Sequence, residues 1–301
     1  MQRRFMTTDV FTDRQFGGNP LAIVLDAVGL STAQMQSVAR EFNYSETTFV
    51  LPPRNDAHTA HVRIFTATKE LPFAGHPNIG TAIVLAQVLE ASGHAPFERM
   101  VFEEAAGLVP IRLRREHGKI VSAELTAPQS LSLGARASRD DVAACLSIAP
   151  MDIRESNHAP QVASIGLPFL VVELATREAL ARCKPVPAQH ERVLPPLGTD
   201  AIFVYVRMGL DGELQARMFS PLDACVEDPA TGSASGATMA LLASLLANRD
   251  GEQTWRIEQG VDMGRPSLIL GRTEKRGGAV TAVHVAGRAA LVMSGTLQLP
   301  A

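Results

Sequence analysis

Few of the features that would narrow a function at first reading are present in this chain. Its three cysteines, Cys145, Cys183 and Cys225, are odd in number and far apart. They argue against a disulfide framework and fit reduced thiols in a cytoplasmic protein. The formal charge is only −3, so no basic excess points to nucleic acid or an anionic membrane as partner. The densest basic group, Arg112, Arg114 and Arg115, reads as a solvated strand end. No apolar run reaches the roughly 18–20 residues that a membrane-crossing helix needs. Met1 to Val10 carries positive charge without an apolar core, so a signal peptide is not expected there. No Gly-x-Gly-x-x-Gly follows a strand and no P-loop occurs, which argues against a nucleotide cofactor.

Other motifs fall short for stated reasons. His58 and His61 sit near each other in sequence, but no carboxylate or cysteine joins them in a metal-ligand spacing. Gly232-Ser233-Ala234-Ser235-Gly236 imitates a nucleophile elbow, yet no partners follow in an order that would make a hydrolase triad. Cys225 lies close to that segment and reads as a bystander thiol.

What the chain does have is a pattern used twice. Arg63-Ile64-Phe65-Thr66 leads through Glu70-Leu71-Pro72-Phe73-Ala74-Gly75-His76-Pro77-Asn78 into an apolar segment. Arg217-Met218-Phe219-Ser220 leads through Glu227-Asp228-Pro229-Ala230-Thr231-Gly232-Ser233 into a second one. Each copy predicts a strand, a polar loop and the start of a helix. The predicted helices, about Asn78 to Ala91 and Ala234 to Ala247, are apolar on every face and must be surrounded by other structure. The Arg-x-Phe elements stand 154 residues apart (217 minus 63) in 301, so internal duplication is expected.

Two domains are also the natural division of a chain this long. The boundary falls at Ala127-Pro128-Gln129-Ser130, giving domains 1–127 and 128–288, with the last strand, about 289–301, completing the first. Around the two helices, strands rich in Val and Ile predict curved sheets. Ser31 is expected to cap a helix running to about Phe42, and Ser138 or Asp140 one running to Leu146.

Helix starts expose backbone N–H groups and a positive dipole end, so two of them suit one small anionic ligand held between two similar domains. Glu46, in the polar loop Asn43-Tyr44-Ser45-Glu46-Thr47, is the first candidate acid or base, although an exposed or capping role fits it as well. His76 opens a buried helix, where the dipole disfavours a proton and a neutral imidazole is expected. Asp228 has a plain alternative as a helix N-cap. Gly75, Thr231, Gly232 and Ser233 are small enough to bring N–H groups close to a carboxylate, or to allow tight helix–sheet packing instead.

Four segments together resemble a known family. Asp9-Val10-Phe11-Thr12 with Gly18-Asn19-Pro20, Asn43 to Thr47, Glu70 to Pro77 and Glu227 to Ala234 are similar to signatures of the PhzF-like isomerases of phenazine biosynthesis. Met263-Gly264-Arg265-Pro266-Ser267 is a fifth such segment. The resemblance implies an α+β, diaminopimelate-epimerase-like fold of two similar domains, each a curved, mostly antiparallel sheet or barrel around a central apolar helix. It further implies a homodimer, no cofactor and no metal. It implies Glu46, His76 and Asp228 as catalytic residues and Ser233, with the backbone donors Gly75 and Gly232, as substrate-binding ones, beside which Ser45 and Thr231 are further substrate-binding candidates. Ala67 and Asn78 depart from the family's usual proline and threonine, which bears on the pocket.

The expected reaction is a proton shift with movement of a double bond on a small carboxylate-bearing metabolite, of the trans-2,3-dihydro-3-hydroxyanthranilate isomerase type. Burial of Glu46 would tune it for that task. Two alternatives stand beside it. One is a racemase or epimerase of an amino or hydroxy acid, although cysteines are missing at both helix starts. The other is a non-catalytic metabolite-binding protein of the same fold.

Overall fold

The computed structural model describes residues 2–209, 212–222 and 225–299. The chain divides into two units, Met1–Thr126 with Ala286–Ala301, and Ala127–Val285.

The first unit contains strands β1 (Gln2–Val10), β2 (Asn19–Val24), β3 (Glu46–Leu51), β4 (Ala60–Phe65), β5 (Glu70–Leu71), β6 (Arg99–Glu104), β7 (Gly107–Glu116) and β8 (Lys119–Thr126), with the late strand β18 (Ala289–Gln298). Its helices are α1 (Thr32–Phe42) and α2 (Gly75–Ala91). β18 and β2 flank β1 as antiparallel neighbours. β3 runs parallel to β2 and antiparallel to β4. β4 then meets the short β5 antiparallel and β6 parallel, and β6, β7 and β8 form a meander.

This sheet bends around α2, which lies against β1, β2, β3, β7, β8 and β18. Every residue from Gly75 to Ala86 is buried, which is why no polar stripe interrupts the sequence there. Gly80 marks a close approach: an added Cβ would stand 2.7 Å from side-chain carbons of Leu21 and Val10. On the other face of the sheet α1 is an ordinary amphipathic helix. Ser31 caps it in a capping box with Gln34, and Met35, Val38 and Ala39 pack with Val24, Phe49 and Phe65. Asn43, at φ 52°, ends it in the left-handed region that asparagine tolerates. β2, covered on both faces, reads Leu21-Ala22-Ile23-Val24 without a polar residue.

The second unit holds β9 (Ser132–Arg136), α3 (Arg139–Leu146), β10 (Gln161–Ser164), β11 (Pro168–Glu173), α4 (Arg177–Arg182), α5 (Pro187–Val193), β12 (Ile202–Arg207), β13 (Glu213–Phe219), β14 (Glu227–Asp228), α6 (Gly232–Leu245), β15 (Gly251–Gln259), β16 (Ser267–Arg276) and β17 (Ala279–Gly287). Its pairings repeat those of the first unit. β10 is antiparallel to β9 and β11, and β11 is parallel to β12. β12 is antiparallel to β13, which meets β14 antiparallel and β15 parallel, with β16 next. α6 packs against β10, β11, β15 and β16. Val142, Leu146, Leu180 and Val193 from α3, α4 and α5 form an apolar core with Leu170, Val172, Ile202 and Val204.

The duplicated motif is built the same way in both units. Arg63 Nε and Nη2 donate to the two oxygens of Glu70, both at 2.7 Å, and the guanidinium lies 5.2 Å from the Phe65 ring centre. Arg217 grips Glu227 at 2.7 and 2.8 Å and lies 4.7 Å from Phe219. Each clamp ties the last long strand before the loop to the short strand that carries the chain toward the buried helix. A planar guanidinium suits this bidentate role, where lysine would not.

Several sequence expectations need adjustment. α2 opens at Gly75 rather than near Asn78, and α6 at Gly232 rather than Ala234. Pro77 is tolerated as the third helical residue because the first turn needs no intrahelical N–H bond. α4 and α5 lack sequence expectations, being too short for periodicity to register. The cysteines divide as Cys145 and Cys183, buried, and Cys225, half-buried. Among the described residues no helix is long and apolar enough to cross a membrane.

Candidate active site

Asn19 and Glu46 are the first residues of β2 and β3, two parallel neighbours in which Leu21 stands opposite Glu46. Both side chains therefore leave the sheet at the same end, where α2 begins. The His76 ring lies between them. Asn19 Nδ2 faces Nδ1 of His76 at 3.4 Å, and Glu46 Oε2 faces its Nε2 at 3.1 Å. An amide nitrogen only donates, so this contact favours the tautomer with Nδ1 as acceptor and the ring proton on Nε2, and the Nε2–Oε2 approach is close without being aligned as a hydrogen bond.

Burial pushes the His76 pKa down to about 3. The imidazole is thus neutral across ordinary pH, as expected, but desolvation is the cause rather than the helix dipole. The Glu46 side chain keeps 16% of its surface accessible, against 6% for His76. Glu46 is mostly enclosed yet reachable, and Ser45 beside it is half-buried.

Helix starts differ in a way that matters. α1, α3 and α4 each carry a side-chain cap, from Ser31, Ser138 and Thr176. α5 opens on Pro187. The two buried helices have neither device: α2 starts after Ala74 and α6 after Thr231, both without a side-chain cap bond. First-turn N–H groups at Gly75 and His76, and at Gly232 and Ser233, have no intrahelical acceptor. Such groups pair best with an anion.

In the second unit Asp228 is not the cap of α6. Thr231 occupies that position, and Asp228, three residues earlier, accepts the Thr231 hydroxyl proton at 2.6 Å. Gln259, at the end of β15, accepts from Thr231 N at 3.0 Å and donates through Nε2 to Asp228 O at 2.8 Å and to Thr231 Oγ1 at 3.1 Å. Ser267 Oγ donates to Pro229 O at 3.0 Å. The loop before α6 is thereby fixed by buried hydrogen bonds, which favours a prearranged site.

Other candidates from the sequence go elsewhere. His58 binds Glu103 at 2.8 Å, while His61 faces Arg54 at 3.3 Å. The Cys225 thiol donates to Glu227 O at 3.0 Å. Sequence reading overlooked Asn19 and Gln259 as parts of the arrangement. Asn19 looked like a turn residue beside Pro20. Its signal was a polar residue opening an otherwise apolar central strand. Gln259 had no local signal, since its partners lie about 30 residues away.

The duplicated sheet-and-helix unit defines the class: a mixed α+β, sheet-dominant fold that is shared with PhzF-family proteins and with proline racemase and hydroxyproline epimerase structures. The profile of the PhzC-PhzF family, described as phenazine biosynthesis-like protein, matches residues 8–295, and the chain belongs to that family. The trans-2,3-dihydro-3-hydroxyanthranilate isomerase of Pseudomonas chlororaphis is 36% identical over 300 residues, covering 98% of this chain and 99% of its own length. An isomerase of Mesorhizobium japonicum is 39% identical, with 98% of each chain covered. The crystal structure of a Bacillus anthracis PhzF-family protein superposes with a TM-score of 0.87 at 24% identity, over 99% of this chain and 100% of that one. The chain is an isomerase.

Proposed function

We propose that this isomerase moves a hydrogen between two carbons of a small, carboxylate-bearing metabolite, with Glu46 as general acid and base and without a cofactor. The observation that carries this reading is the 3.1 Å approach of His76 Nε2 to Glu46 Oε2 beside the uncapped start of α2. A neutral imidazole packed against the carboxylate restricts its position without adding a charge that would weaken it as a base.

Glu46 takes a proton from a carbon next to the conjugated system, and the electron pair of that C–H bond spreads toward the substrate carboxylate. The Gly75 and His76 N–H groups stabilise the developing charge, an effect worth about 3–4 kcal/mol per well-placed donor. The protonated Glu46 then returns its proton to another carbon of the system. One C–H bond is broken, one is formed and the double bond shifts, with no electrons gained or lost. Ser45 is assigned to the substrate beside Glu46, and in the second unit Asp228 and Thr231, with the Gly232 and Ser233 N–H groups, form a corresponding candidate element for polar groups of a ligand.

The substrate class follows from the name of the Pseudomonas chlororaphis relative, trans-2,3-dihydro-3-hydroxyanthranilate isomerase. That compound combines a carboxylate with the conjugated carbons the proposed steps require. The test uses it in D2O, with turnover followed by ultraviolet absorbance and product deuterium by mass spectrometry. Wild type should incorporate solvent deuterium at carbon. Glu46→Gln should lose roughly 10²–10⁴-fold in kcat with KM little changed. Near-native turnover by the variant would rule out Glu46 as the base, and an inert wild type would exclude this substrate.

A further inference from the structure

The first unit encloses a carboxyl group that these steps do not use. Alternation along β6 puts Glu104 on the same face as Met100 and Phe102, whose side chains are buried in the apolar interior. Both Glu104 carboxyl oxygens are closed off from solvent, and neither has a hydrogen-bond partner among the described residues. The polar side chain that acts on Glu104 is Asn78, in the first turn of α2, though too weakly placed to count as a hydrogen bond. Asn78 is itself fully buried and already donates through Nδ2 to Ala74 O at 2.9 Å.

Among the described residues no cation balances this carboxyl. On its own strand Glu103 faces the other way and is held by Arg54 N, Asn55 N and His58. Glu70 on β5 is taken by Arg63. His76 on α2 is neutral, and β7 brings no charged side chain before Arg112. A carboxylate in that setting would be a buried charge without a partner, which proteins avoid by keeping the proton.

We propose that Glu104 is held as a neutral acid against the first turn of α2, and that its ionisation switches off the affinity of that helix start for an anionic substrate. The proposal rests on the reading of the α2 start as the carboxylate-binding element. A negative charge beside Asn78 would oppose the dipole that attracts the substrate, and so would act on binding rather than on the proton shift. Burial pushes the Glu104 pKa up to about 8, so the change falls on the alkaline side of neutrality. Below it, Glu104 is a positioning residue that contributes shape without charge.

Difference infrared spectroscopy of wild type against Glu104→Gln reads the protonation state directly. A protonated-carboxyl C=O band present at pH 6 and fading through about pH 8 supports the proposal. A carboxylate signal at pH 6 overturns it whatever the enzyme's activity. The kinetic arm follows turnover of trans-2,3-dihydro-3-hydroxyanthranilate from pH 6 to 10. Wild-type KM should rise up to about tenfold per pH unit above pH 8 with kcat nearly level, and Glu104→Gln should lack that rise. An alkaline limb shared by both proteins, or one confined to kcat, overturns the switch. If that compound is not a substrate, the same arms are read from inorganic phosphate binding by calorimetry. Should Glu104→Gln fold poorly, the carboxyl C=O band of isotope-edited wild type still decides the protonation state.

Discussion

Replacing Tyr205 by phenylalanine isolates one polar group in a sealed part of the second unit. The Tyr205 hydroxyl lies 2.8 Å from His158 Nε2 and donates to Glu173 Oε2 at 3.0 Å. Tyr205 is wholly buried and Glu173 is 1% exposed, so water cannot easily take the place of the lost oxygen. Glu173 would keep its contacts from Asn157 Nδ2 at 3.0 and 2.8 Å. His158 Nδ1 donates to Ala159 O at 2.8 Å, so Nε2 of the neutral ring is an acceptor that competes with Glu173 for the one hydroxyl proton, and it loses that contact in the variant. The ring stays, so no cavity cost is added. A hydrogen bond to a charged group contributes about 1.5–3 kcal/mol and a stranded buried partner costs about 1–3. With shared attribution the net loss should be about 2–4 kcal/mol. For a unit of this size that corresponds to a drop of roughly 4–16 °C in Tm. The sole tryptophan, Trp255, is 5% exposed in the same unit and bonds Thr273 at 2.9 Å, so its fluorescence during urea unfolding reports on the right region. A midpoint loss below about 0.5 kcal/mol at unchanged m-value would refute the reasoning, by showing that the hydroxyl is replaceable.

Two further outcomes follow from buried titratable groups. His76 has its folded pKa depressed to about 3, against about 6.5 unfolded. The unfolded chain then binds more protons between those values, so stability should fall as pH drops from about 6.5 toward 3. The effect is on the order of 4–5 kcal/mol at most, and smaller in His76→Gln, as measured by urea midpoints across pH. Burial also pushes the Cys145 and Cys183 thiols up to about 11 and 12. At pH 8 native protein should therefore react with a thiol reagent first at Cys225. Peptide mapping that finds Cys183 modified equally fast would contradict the enclosed cores.

Legibility in the sequence followed the length of the pattern. α2 and α6 could be read because more than a dozen residues without a charge leave no alternative to an enclosed helix. Ser31 and Ser138 announced α1 and α3 through cap chemistry that acts within three residues. Glu46 and His76 were legible as residue types in motifs, but their meeting was not. It joins positions 30 apart in sequence (76 minus 46), the first residue of β3 and the first turn of α2. Gln259 was hidden for the same reason, its role being defined by Asp228 and Thr231 on another element. α4 and α5 were lost because six or seven residues make too few turns for an apolar stripe to repeat. Asp228 could be read as a cap from local sequence alone, and it is the position of Thr231 as the residue before α6, with its hydroxyl on Asp228, that shows otherwise.

The placement of β18 has a consequence for biosynthesis. The first unit takes a strand from near the C-terminal end, Ala289–Gln298, as the partner of β1. During translation β1 therefore waits with one edge unsatisfied until residues 289–298 have left the ribosome, while the second unit already has all of its strands. A nascent chain paused before residue 289 should present that edge to chaperones, and truncation of the tail should injure the half of the molecule encoded first.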